Sequence, residues 1–461
     1  MGYQPAATGT AHNGSVAQGG IVGQNEVVAE NRSGPALIRS MGRWDLTAVG
    51  VNQVIGSGIF IMPATVAATV GIPSSLLPWV AAGMANTLIV LCFAEAGTQF
   101  REAGGPYAYA RTAFGPFIGF EVAWMMWVTR VVAQAALANA FALYVGRFWG
   151  PATEGSGRLL VVTLLLGALA AINLAGVRYG SLAINFFTIS KLVPLALFLG
   201  VGIFFIEPGN FEGMFDLSGG KGTFGAAVLM LMFTFGGYEL ITIPASEARS
   251  PRRDAPRALL LTIGIVFVIY FLVQLVAAGT LPALDTSDTP LADAAEAFGG
   301  NVFGILIALG GLLSIAGSNA GSMLAGPRLT FALGDKGQLP GFFAHVHGRY
   351  RTPDVSILIY LGVAIALAYS GTFVQLATLS VVARIMFYMT TCAAIPVLRR
   401  RLEAPDDAFK VPGGMLVPGL ALIVSIMILT SASAADIKGG GIALLIGAIF
   451  YLMAGNADKQ S

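Results

Sequence analysis

From about residue 45 to its end, the chain alternates long apolar runs with short polar breaks. A run of about 18 or more apolar residues can cross a bilayer as a helix. Twelve spans are expected, at about 45–70, 75–99, 115–147, 159–176, 182–206, 221–245, 258–281, 302–326, 355–370, 373–397, 413–434 and 439–455. The ninth is short, and Gly371 barely separates it from the tenth. The pattern predicts an all-α polytopic membrane protein. Ahead of the first span, residues 1–43 are rich in Gly, Ala, Asn, Ser and Gln and lack a basic start followed by an apolar core. They are expected to be a disordered cytoplasmic tail rather than a cleaved signal peptide.

Two spans depart from a plain helical pattern. The first holds Gly56, Ser57 and Gly58 at its centre, with Pro63 beyond them. The sixth holds Gly236 and Gly237, then Glu239 and Pro244. Glycine and proline both favour unwinding. An unwound backbone in hydrocarbon leaves N–H and C=O groups unpaired, at roughly several kcal/mol each, unless they line a cavity. Taken alone, the first glycine cluster fits a close helix contact equally well. A second interruption five spans later is the arrangement expected of a transporter site.

Composition sharpens this picture. The chain is 56% hydrophobic and 11% charged over 461 residues, against roughly 25% charged for a soluble domain. A net charge of +2 is too small to suggest nucleic-acid binding. With the amino terminus inside, nineteen of the 26 basic residues fall in cytoplasmic segments and four in outer ones. That bias predicts both termini on the cytoplasmic side of the cell membrane. Cys92 and Cys392 lie in apolar runs, so a disulfide framework is not expected. His12, His345 and His347 lie in polar stretches, and neither a metal nor a cofactor is expected.

The remaining basic residues, Arg130, Lys191 and Arg384, lie inside spans, as do Glu95, Glu121 and Glu239. A charge at mid-bilayer costs about 2.5–3.5 kcal/mol on insertion scales, so each is a candidate functional residue. Arg130 and Arg384 have two readings each, pairing with a carboxylate to hold the bundle or touching substrate. Which charges pair stays open. A lysine kept from water can exist without its proton, which suits Lys191 to a proton-linked switch. The alternative for Lys191 is reaching headgroups from the inner end of its span.

Several motifs together resemble the amino acid–polyamine–organocation superfamily. They are Gly56-Ser57-Gly58-Ile59-Phe60, the stretch from Glu102 to Arg111 with Gly104-Gly105-Pro106-Tyr107, and Phe233-Thr234-Phe235-Gly236-Gly237-Tyr238-Glu239. The loop motif from Ser250 to Ala258 and the pair Pro327-Arg328-Leu329 and Asp335–Pro340 complete the set. The pattern is closest to proton-coupled cationic or broad-specificity bacterial members. The resemblance implies a LeuT-type fold, a five-plus-five inverted repeat with two C-terminal helices added. Residues 44–208 would be the first repeat, 209–398 the second, and 399–461 the last two spans and a short tail. It implies that a substrate carboxylate meets backbone N–H groups around Ser57 and Gly58. The amino group would meet carbonyls near Ile55 and Gly56 and around Phe233, Thr234 and Gly236, with Phe233 and Phe235 as a lid or wall. For those two aromatics ordinary helix packing is the alternative. Lys191 would take the place of a coupling cation, touching first-span carbonyls and a hydroxyl such as Ser314 or Ser318. Gly236 stands where such relatives carry a bulkier residue, and no acid is placed to hold a basic side chain, so a cationic substrate is not favoured.

The expectation is a secondary transporter that moves an amino acid across the cytoplasmic membrane by proton symport with alternating access. An amino acid or amine exchanger, and a non-transporting amino acid sensor, are the alternatives. An enzyme is disfavoured for want of a nucleophile–base pair or metal cluster, and a channel for want of a repeated charge ring or carbonyl filter.

Overall fold

The computed structural model describes residues 41–56, 58–100, 105–176, 191–217, 220, 222–242, 248–403, 405 and 407–457. Fourteen helices run through them. They are α1 (Arg43–Val54), α2 (Gly58–Val70), α3 (Leu76–Thr98), α4 (Gly105–Phe114), α5 (Pro116–Gly146), α6 (Gly155–Ala175) and α7 (Lys191–Phe205). There follow α8 (Phe224–Thr234), α9 (Pro251–Thr280), α10 (Pro290–Asp335), α11 (Asp354–Ser370), α12 (Phe373–Arg401), α13 (Leu416–Thr430) and α14 (Ala434–Ala457). An isolated bridge between Met41 and Ala248 is the only β pairing among the described residues.

Eight stretches among the described residues are long and apolar enough to cross a membrane, and nine if α1 and α2 count as one bent span. The expected fifth, ninth and eleventh spans coincide with the shorter apolar helices α7, α11 and α13. Residues 177–190, which include the first part of the expected fifth span, lie outside the described residues. The expected tail likewise lies outside them up to residue 40. The outer helices carry large apolar side chains on their open faces, including Leu164, Met427, Leu445 and Leu452. Water would not tolerate so continuous an apolar belt, and lipid does.

Local chemistry sets the helix ends. Gly115, at φ 99°, turns the chain between α4 and α5, and Pro116 starts α5 where its missing N–H costs nothing. Thr372 and Gln375 form a reciprocal cap at the start of α12. Within α10, Gly300 leaves helical geometry at φ 77°, so the apolar part of that helix begins after it.

α5 is central and packs on α4, α10, α11, α12 and α14, while α3 packs on α9 and α2 on α8. Polar side chains link these helices inside the apolar core. Trp79 donates to Gln274 at 2.9 Å, and Gln274 donates to Ser75 at 2.8 Å, joining the α3 end to α9. Gln134 donates to Asn319 at 3.0 Å, joining α5 to α10. Such interhelical bonds contribute about 0.6–2 kcal/mol each in a membrane. Near their C-terminal ends, α3 and α12 are joined by Arg399, whose Nε and Nη2 meet the Glu95 carboxylate at 2.6 and 2.7 Å. The Val411 N–H adds a third donor at 2.8 Å. Glu95 is thereby a paired structural charge, while Arg147 at the end of α5 pairs with Asp293 and Glu296 of α10.

Candidate functional site

Both expected breaks are present. α1 ends at Val54 and α2 restarts at Gly58, with the two axes bent by 51°. α8 ends at Thr234, the chain turns through Phe235–Gly237, and a short 3-10 turn follows over Tyr238–Thr242. Gly237 adopts φ 121°, a conformation open to glycine and strained for other residues.

The two breaks touch. A Cβ at Gly58 would lie 2.7 Å from Thr234 Oγ1 and 3.0 Å from both Thr234 side-chain carbons. A Cβ at Gly237 would lie 2.9 Å from the Gln53 carbonyl oxygen. α10 is equally close on another side, since a Cβ at Gly56 would lie 3.1 Å from Ser318 Oγ. These glycines let three backbones meet around one space.

That space is a cavity of about 120 Å³. α1, α2, α5, α7, α8, the 3-10 turn, α10 and α12 all contribute to its wall. Of the expected substrate residues, Gly56, Gly58, Phe233, Thr234 and Gly236 line it. Ile55 is buried outside the lining. Phe235 is also buried outside the lining, edge-on to Trp79 at 6.1 Å and to Tyr270 at 5.3 Å, a packing arrangement. Ser57 lies outside the described residues. Of the expected coupling residues, Lys191 and Ser318 line the cavity. Ser314 sits one turn from Ser318, its carbonyl accepting the Ser318 hydroxyl at 3.1 Å, while its own Oγ has no partner among the described residues.

The chain's own side chains occupy part of the broken backbone. Lys191 Nζ donates to the Asn52 carbonyl in the last turn of α1. Arg384 Nη1 donates to the Met232 and Phe233 carbonyls in the last turn of α8, each at 3.2 Å. The last carbonyls of a helix lack intrahelical donors and carry partial negative charge, so a cation fits each end. The Tyr270 hydroxyl lies 2.8 Å from the Val54 carbonyl and 3.2 Å from the Thr234 carbonyl, bridging the two breaks. Gly58, the first residue of α2, lines the cavity, and the first N–H groups of a helix have no intrahelical acceptors.

Three charged lining residues were legible only as charges inside spans: Arg130, Glu239 and Arg384. Glu239 accepts from the Gly237 N–H and the Tyr388 hydroxyl, both at 2.9 Å. Arg384 fills the space above Gly236, where a Cβ would fall 1.4 Å from Nη1. The missing bulk at Gly236 is thus replaced by a side chain from α12. Asn52, Gln53 and Ser322 also line the cavity, and nothing in their sequence context marked them.

A helical membrane protein with a central cavity between two interrupted helices has the form of a transporter. The sequence pattern of the amino acid permease family matches residues 41–453, and the chain belongs to that family. It is similar to the serine/threonine exchanger SteT of Bacillus subtilis (strain 168), 29% identical over 86% of this chain and 92% of the relative. It is similar to the branched-chain amino acid permease BcaP of the same organism, 24% identical over 93% of this chain and 95% of the relative. The methylthioribose transporter of that organism is 26% identical over 93% of this chain and 96% of the relative.

Proposed function

We propose that the protein is a secondary transporter that carries an amino acid across the cell membrane by proton symport with alternating access. The observation that carries the reading is the pair of facing breaks around one cavity, with the Lys191 ammonium on an α1 carbonyl. The substrate carboxylate would bind the first N–H groups of α2, where dipole and free donors favour an anion. The amino group would bind carbonyls left open between the breaks. Lys191 would hold α1 in place when protonated and release it when neutral, coupling proton movement to the change of access. Ser318, and Ser314 one turn away, would stabilise the first break from α10.

The proposed topology has twelve spans, with α1 and α2 as the first, α8 and its 3-10 turn as the sixth, and α13 and α14 as the last two. The first ten spans would form two inverted five-span repeats, and both termini would be cytoplasmic, as the basic residues favour.

The test is uptake into proteoliposomes under an imposed pH gradient. Wild-type protein is expected to accumulate an amino acid in response to the gradient, and Lys191→Ala to lose that response. Full gradient-driven accumulation by Lys191→Ala would exclude the lysine mechanism. Exchange is the second reading, favoured by the similarity to an exchanger. It predicts uptake only into vesicles preloaded with amino acid. Binding without uptake in either vesicle would exclude transport and leave a sensor.

A further inference from the structure

Among the described residues, the charges on the cavity wall do not balance. The ionisable ones are Arg130, Lys191, Glu239 and Arg384. Glu239 is the one acid among them, and its Oε2 is already engaged by Gly237 and Tyr388. Arg130 makes no hydrogen bond or ion pair with a described residue, yet lies within electrostatic reach of both Glu239 and Arg384. Arg384 commits Nη1 to the end of α8, and its buried Nε has no partner among the described residues. Two guanidinium groups therefore face a space that holds one carboxylate among the described residues, and a protonated Lys191 adds a further positive charge.

Buried charge of one sign is unfavourable unless something neutralises it. A zwitterionic amino acid with a neutral side chain brings no net charge. An amino acid with an acidic side chain brings one negative charge, and its second carboxylate matches the planar donor edge of a guanidinium. The α-carboxylate and the side-chain carboxylate would then occupy different donors, the start of α2 and the two arginines.

We propose that Arg130 and Arg384 form a side-chain carboxylate subsite, and that the substrate is an acidic amino acid. The proposal rests on the amino acid transporter reading above. In this arrangement Arg384 has two duties. Nη1 anchors the α8 end and holds the guanidinium plane, while the remaining edge meets the ligand. Arg130, which has no such anchor among the described residues, closes on the carboxylate from α5. Gly236 is required because any side chain there would displace Arg384.

The experiment uses the full chain, with thermal-shift titrations in detergent and uptake into proteoliposomes. The probes are L-glutamate and L-aspartate against their amides L-glutamine and L-asparagine, with L-serine and L-leucine as neutral amino acids. The acids are expected to bind on the order of tenfold or more tightly than the amides, as loss of a charge-assisted pair implies. Arg130→Gln and Arg384→Gln are expected to erase that preference. Arg130→Gln breaks no hydrogen bond to a described residue, so it keeps the test usable if Arg384→Gln fails to fold. Binding and transport of serine or leucine without any preference for the acids would overturn the acidic-substrate proposal and leave the transporter reading standing. Equal weakening of every amino acid by both variants would also overturn it, since the arginines would then serve only the common backbone of the substrate. If no amino acid is bound or moved, the transporter reading itself fails.

Discussion

Placing a methyl group on Gly58 tests whether the two breaks meet as described. The new Cβ would stand 2.7 Å from Thr234 Oγ1 and 3.0 Å from Thr234 Cβ and Cγ2. Favourable contacts between carbon atoms lie at about 3.5–4.0 Å, so the overlap is about half an ångström or more against three atoms at once. Threonine is stiff about χ1 and cannot swing away cheaply. Nor can α8 retreat freely, because Arg384 and Tyr270 hold its last turn. Overpacking of this kind costs about 1–3 kcal/mol. If the strain falls on the ligand-bound arrangement, affinity falls by about 5- to 150-fold, at about 1.4 kcal/mol per factor of ten.

The assay is a double-mutant cycle read by amino acid Kd and by thermal stability in detergent. Gly58→Ala is expected to weaken binding within that range while the protein stays folded. Thr234→Ala removes two of the three clashing atoms and a buried hydroxyl that has no partner among the described residues. Alone it is expected to be nearly neutral, since relief of an unpaired buried hydroxyl's desolvation cost offsets the lost methyl packing. The double variant is expected to recover most of the lost affinity. Contacting residues couple by about 0.5–3 kcal/mol. A coupling below about 0.5 kcal/mol would mean that Gly58 and Thr234 do not pack together, and the facing-break geometry would be refuted.

Other perturbations probe the scaffold and the wall. Arg399→Ala strands the nearly buried Glu95 with one remaining donor, Val411 N–H, and is expected to cost about 3 kcal/mol in unfolding free energy; a change under about 0.5 kcal/mol would show the pair to be dispensable. Tyr270→Phe removes the donor between the Val54 and Thr234 carbonyls and is expected to cost about 1–3 kcal/mol, with a raised KM for uptake; unchanged KM and stability would remove that bridge from the site. Gly236→Ala is expected to reproduce Arg384→Gln in the acid-against-amide titration, because its Cβ and the guanidinium claim one volume; an unaltered acid preference would place Arg384 elsewhere.

The apolar runs made the helical membrane body legible, and the ordered motifs made the family legible, as the match over residues 41–453 bears out. Periodicity does this because each span must bury its own backbone polar groups. The glycines at 56, 58, 236 and 237 also marked the two helix breaks that face the cavity, since no helix interior favours them. What sequence left open was partnership across distance. Glu95 and Arg399 are 304 positions apart, and only packing of α3 on α12 brings them together. The closeness of Arg384 to Gly236 was equally hidden, since only the packing of α12 on α8 brings them together. Phe233 lines the cavity while Phe235, two positions on, packs away from it, a difference of rotation that an apolar run does not encode.

Among the described residues, the two cations that touch the breaks follow one rule. Lys191 meets the last turn of α1, and Arg384 meets the last turn of α8. In the proposed inverted repeat these residues lie on the fifth helix of each half, and each holds the broken helix of its own half. Their chemistry differs in the way a transporter needs. A lysine is a compact charge that can give up its proton and so release its carbonyl. An arginine stays charged and keeps its carbonyls throughout. The first break would then be the movable one and the second the fixed one, with Tyr270 spanning both. Exchanging the two chemistries separates these roles. Lys191→Arg would lock the first break and is expected to abolish gradient-driven accumulation while retaining binding, because a permanent cation still holds α1. Retained accumulation in that variant would show that release of the α1 carbonyl is not the coupling step.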